Sequence, residues 1–103
     1  MTLGSIAAEM VLAAKFSLKL RIESIFSLKE KRSIVQRIKS FVSKKENVCI
    51  VESAFQDNLN YIGFTVGFLS FSKDQAVEKA KVISCLIERE TDGIIEKEEL
   101  ELM

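Results

Sequence analysis

The apolar and polar positions of this chain divide into six segments with two different repeats. From Leu12 to Ile22 the even positions read Leu12, Ala14, Phe16, Leu18, Leu20 and Ile22, while Lys15, Ser17, Lys19 and Arg21 occupy odd ones. Alternation of this kind is a strand with one buried face. Ser27 stands three residues before Glu30, so its hydroxyl can accept from the third helical amide while the carboxylate returns to the cap amide. A helix is predicted from Ser27. Along it Leu28, Ile34, Val35, Ile38, Phe41 and Val42 recur at helical spacing until Lys44, Lys45 and Glu46 end the stripe.

Val48 to Ser53 reads as a second strand, and Gln56, Asp57, Asn58 and Asn60 supply turn chemistry after it. Tyr61 to Phe71 alternates again, with Ile62, Phe64, Val66 and Phe68 on one side and Gly63, Thr65 and Gly67 on the other. Ser72 and Gln75 repeat the capping spacing, and Ala76, Val77, Ala80, Ile83 and Ile87 form a second helical stripe ending near Gly93. Ile94 to Met103 closes the chain as a strand with Leu100 and Leu102 on one face. Two βαβ units with right-handed crossovers place both helices on one side of the sheet. The expected fold is therefore α+β, a ferredoxin-like βαββαβ domain whose four-stranded antiparallel sheet runs 4-1-3-2. The sheet's other face is left open.

With 103 residues, one domain is expected. We place it at residues 10–103, with residues 1–9 as an N-terminal extension. Histidine is absent, which removes the commonest general base and metal ligand. Cys49 and Cys85 are too far apart in sequence for a zinc cluster or dithiol motif, and both are expected to be reduced, buried thiols. No cofactor, metal or catalytic constellation is expected. Glu9, Lys15, Lys19 and Arg21 interrupt the N-terminal apolar stretch, so no membrane span and no signal peptide are expected, and a cytoplasmic setting is expected with them. Net charge is zero, yet residues 1–51 hold ten Lys and Arg against four Asp and Glu, and residues 52–103 hold five against eleven.

Two segments carry a family resemblance. Ser27-Leu28-Lys29-Glu30-Lys31-Arg32, and Asn47-Val48-Cys49-Ile50-Val51-Glu52 followed by Gln56-Asp57, resemble the hallmarks of the YlxP-like family of small bacterial proteins of unknown function. The chain departs from it after Gln56-Asp57, where family members often carry a Trp-Gln-Arg triplet and this chain reads Asn58-Leu59-Asn60-Tyr61. The resemblance implies a ferredoxin-like fold and a gene neighbourhood of translation and ribosome maturation. It supplies no catalytic residue.

Three surface regions are candidates. Ser27, Lys29, Lys31, Arg32, Arg37 and Lys39 make the first helix basic and form a candidate anion or RNA site, with RNA or a ribosomal particle as partner. The alternative is a solvated helix face. Gln56 and Asp57 are a candidate loop site, or turn chemistry alone. Tyr61, Gly63, Thr65, Gly67 and Leu69 are a candidate homodimer face, in which the glycines admit a partner or mark a bulge. On the same face Lys15, Lys19 and Arg21 are expected to pair with Glu99 and Glu101 across the ladder.

Overall fold

Alternation along β1 (Leu12–Arg21) sends Ala14, Phe16, Leu18 and Leu20 to one side of the sheet, where all four are buried. The computed structural model describes Gly4 and residues 10–103. The expected extension at residues 1–9 lies, apart from Gly4, outside them. After β1 come α1 (Leu28–Lys45), β2 (Cys49–Ala54), β3 (Tyr61–Ser70), α2 (Lys73–Arg89) and β4 (Ile94–Leu102). The four strands form one sheet in the order β2-β3-β1-β4, the ferredoxin-like arrangement read from the pattern.

β1 and β3 are the two interior strands, with β1 antiparallel to β3 from Leu12↔Ser70 to Arg21↔Tyr61 and to β4 on its other side. Ile62, Phe64, Val66 and Phe68 of β3 continue the buried layer. Val35, Ile38 and Val42 of α1 and Ala76, Ile83 and Ile87 of α2 close it from the helical side, so one core holds the whole domain. Two of the three ladders contain an irregularity, between Glu52 and Ala54 in β2 and opposite Lys19 and Leu20 in β4, while the β1–β3 ladder is regular. A bulge of this kind turns side chains out of the regular alternation.

Both helices begin as their sequences predict. Ser27 Oγ accepts from the Glu30 N–H at 3.1 Å, and Ser72 Oγ accepts from the Gln75 N–H at 3.1 Å. The reciprocal bonds reach one residue further back than expected: Phe26 N–H donates to Glu30 Oε2 and Phe71 N–H to Gln75 Oε1, each at 3.3 Å. Each cap satisfies a helical amide that has no partner within its helix. Ser27→Ala and Ser72→Ala should each lower stability by about 1 kcal/mol. Urea unfolding followed by circular dichroism checks this.

The cysteines differ from expectation. Cys49 and Cys85 are free, but both are exposed: Cys49 lies on the side of β2 opposite buried Ile50, and Cys85 faces outward between Ser84 and Leu86 on α2.

Candidate functional site

Lys31 departs furthest from its sequence reading. It sits on the inward line of α1, three residues after Leu28 and four before Val35, and is only 1% exposed. Its ammonium lies 3.3 Å from Glu52 Oε2 on β2, donates to the Phe55 carbonyl, and is 3.5 Å from the Gln56 carbonyl. Lys31 is thus neither a solvated cation nor part of an anion cradle at the helix start. Burial of a charge requires a partner and further hydrogen bonds, and Glu52 with two carbonyls provides them. The segments Ser27–Arg32 and Asn47–Asp57, read separately in the sequence, meet here.

That contact fixes the loop after β2. Phe55 has φ 61°, a left-handed conformation that phenylalanine rarely adopts, and its carbonyl is the one Lys31 grips. Gln56 donates from Nε2 to the Glu52 carbonyl at 3.1 Å, and Asn58 Oδ1 accepts from the Asn60 N–H at 2.7 Å. Gln56 therefore closes the turn through its side chain. Asp57 is exposed.

The remaining cations of α1 lie outside. Lys29 and Arg32 are exposed, Lys39 is half-buried, and Lys44 and Lys45 are exposed at the helix end. Arg37 is tied to Glu90, with Nε 3.5 Å from Oε2 and a 2.9 Å hydrogen bond to the Glu90 carbonyl. Among the described residues Lys29, Arg32, Lys39, Lys44 and Lys45 form no ion pair. Glu30, the acid of the first turn, is folded back on the Phe26 amide.

The open sheet face carries a second set of groups. Ser17, Thr65 and Ser53 form a row across β1, β3 and β2, with Oγ to Oγ1 distances of 3.2 and 2.7 Å. Lys19 lies 4.2 Å from the Tyr61 ring centre and 5.3 Å from that of Phe55. The expected pairing with Glu99 and Glu101 is corrected: Glu96 takes both contacts, 4.0 Å from Lys19 Nζ and 3.6 Å from Arg21 Nε. Lys15 does stand opposite Glu101 in the ladder, but Glu99 stands opposite Ser17. The irregularity in β4 is what brings Glu96 to the cations.

Its two glycines have different roles. A Cβ at Gly63 would lie 2.7 Å from the Ala54 Cβ and 3.1 Å from its carbonyl oxygen, so Gly63 permits the close approach at the β2 irregularity. At Gly67 a Cβ would meet nothing within 4 Å. Tyr61 and Thr65 are half-buried and Leu69 is exposed.

Among the described residues no group of three or more His, Cys, Asp or Glu is placed to hold a metal ion, and no helix is long and apolar enough to cross a membrane.

Fold and surface together define a small α+β domain with a basic helix on one side and a polar, aromatic-edged sheet on the other. Residues 14–99 match the model of DUF503, described as a protein of unknown function, and the chain belongs to that family. A search of curated proteins finds no match. Among solved structures the chain is similar to the de novo designed protein Foldit4, with 14% identity, TM-score 0.49, and 90% of this chain and 96% of that one covered. It is also similar to SnoaB, a cofactor-independent oxygenase from Streptomyces nogalater, with 12% identity, TM-score 0.46, and coverage of 88% and 90%.

Proposed function

We propose that this protein is a non-catalytic accessory that binds structured RNA, free or in a ribosomal particle, through the outer face of α1. The observation that carries the reading is the set Lys29, Arg32, Lys39, Lys44 and Lys45, which form no ion pair among the described residues and share their helix with one first-turn acid already engaged at the cap. An eighteen-residue helix is about 27 Å long, enough to follow several phosphates. Lysine and arginine on such a surface attract a polyanion by releasing its counterions, without reading sequence. The YlxP-like resemblance of Ser27–Arg32 supports the same class of partner through its gene neighbourhood. Arg37 contributes less than its charge suggests, because Glu90 already neutralises it.

Filter binding to a structured RNA at low salt tests the reading. Lys29→Glu, Arg32→Glu, Lys39→Glu and Lys44→Glu together should weaken binding at least tenfold and lower the salt slope by about 1 per cation removed. Unchanged affinity in that variant, or no RNA affinity in the wild type, would sink it. A second reading, self-association through the open sheet face, draws on Val51 and Leu69, which stand exposed there. Sedimentation showing only monomer at high micromolar concentration removes it.

A further inference from the structure

The open sheet face contains a cleft of about 330 Å³ where β1, β3 and the end of β2 meet, lined among others by Ser17, Lys19, Phe55, Thr65, Lys97 and Glu99. That volume is within the range of small-molecule sites. Three features give it a definite chemistry.

The first is an unusual pairing of charge. Lys19 and Lys97 are direct partners in the β1–β4 ladder, and both line the cleft. Like charges in that position repel. Glu96 gives limited relief, since its 4.0 Å contact with Lys19 is shared with the closer Arg21 at 3.6 Å. Lys97 forms no ion pair among the described residues. Against these two ammonium groups the lining sets one carboxylate, Glu99, so one positive charge is left over. A monoanion matches that balance better than a dianion.

The second is the hydroxyl row. Ser17, Thr65 and Ser53 own three O–H groups, and their two mutual bonds use two of them. One hydroxyl hydrogen remains to donate to an acceptor over the sheet.

The third is the wall. Phe55 keeps a left-handed backbone because Lys31 holds its carbonyl from the core side, and its ring lines the cleft within 5.6 Å of Tyr61. A constrained conformation maintained by a buried charge suits a preformed aromatic wall. Gly63 leaves the floor beside it without a side chain.

We propose that this cleft binds a small organic monoanion with a flat apolar body, an aryl carboxylate, with its carboxylate between Lys19 and Lys97 and its ring against Phe55. The site is independent of the basic face of α1. Benzoate is the probe, benzamide its neutral counterpart, and amide chemical shifts of labelled protein the readout, with ionic strength held constant by chloride. Benzoate should produce saturable shifts at Ser17, Lys19, Thr65 and Lys97 with millimolar affinity, and benzamide much smaller ones. Lys19→Gln and Lys97→Gln should each weaken benzoate at least fivefold while keeping a dispersed spectrum, and Lys73→Gln on α2, where the lysine is exposed and away from the cleft, should leave benzoate binding unchanged. The proposal is overturned if benzoate gives no saturable shift up to about 50 mM, if benzamide binds equally well, or if the folded Lys19→Gln and Lys97→Gln variants bind as the wild type does.

Discussion

Lys31→Ala is expected to destabilise the domain by about 3–5 kcal/mol, the usual cost of removing one partner of a buried ion pair. At about 4–8 °C per kcal/mol for a domain of this size, the melting temperature should fall by roughly 12–40 °C. The loss has two parts. Glu52, with its side chain only 18% exposed, loses the ammonium that lies 3.3 Å away. The Phe55 carbonyl loses the donor that holds its residue at φ 61°, so the loop after β2 loosens with it. A second substitution separates charge from packing: Lys31→Met with Glu52→Leu leaves no orphaned carboxylate and should recover most of the loss. Thermal unfolding of the single and double variants decides it. A Lys31→Ala loss under about 1 kcal/mol, as for an exposed pair, would mean that Lys31 and Glu52 do not hold the two segments together.

The position of Lys31 was legible, although its partner was not. The stripe Leu28, Val35, Ile38 and Val42 advances at helical spacing, and of the two residues that can fill the step between Leu28 and Val35, Lys31 and Arg32, Lys31 lies nearer the middle of that line at about 100° per residue. Reading it by residue type put it in water; reading it by angle puts it in the core. Glu52 follows the same logic, two residues after buried Ile50 on the inward side of β2. What spacing could not supply was the distance between α1 and β2, which depends on the crossover and the packing of the whole core. The strand order, by contrast, was accessible because alternation in β1 and β3 and two capping serines mark four of the six elements, short apolar-rich runs mark β2 and β4, and crossover handedness leaves one arrangement. The open face was less accessible. Its groups alternate correctly, yet the β4 irregularity moves Glu96 rather than Glu99 to the cations, and nothing in the sequence of β4 marks that shift. Cys49 shows the same limit, since a short apolar run does not say which of its residues faces the core.

Adjacent residues of β3 give the sharpest contrast in stability. Phe64 is 0% exposed at the centre of the core, and its replacement by alanine should cost about 3–5 kcal/mol through lost burial and the cavity left behind. Thr65, the next residue, faces the open side between Ser17 and Ser53 and supports only the hydroxyl row. Thr65→Ala should cost about 1 kcal/mol, the net worth of such hydrogen bonds. Because neither residue belongs to α1 or to its outer face, RNA affinity measured well below the unfolding transition should be the same in both variants and in the wild type. Urea unfolding at two protein concentrations makes the comparison informative about the sheet face as well as the core. A concentration-independent, severalfold smaller loss at Thr65 means that this face is solvated in solution. If the Thr65→Ala loss matches that of Phe64→Ala, or grows with protein concentration, the face is covered by a second chain in the folded state, because a solvated threonine has no packing to lose on that scale.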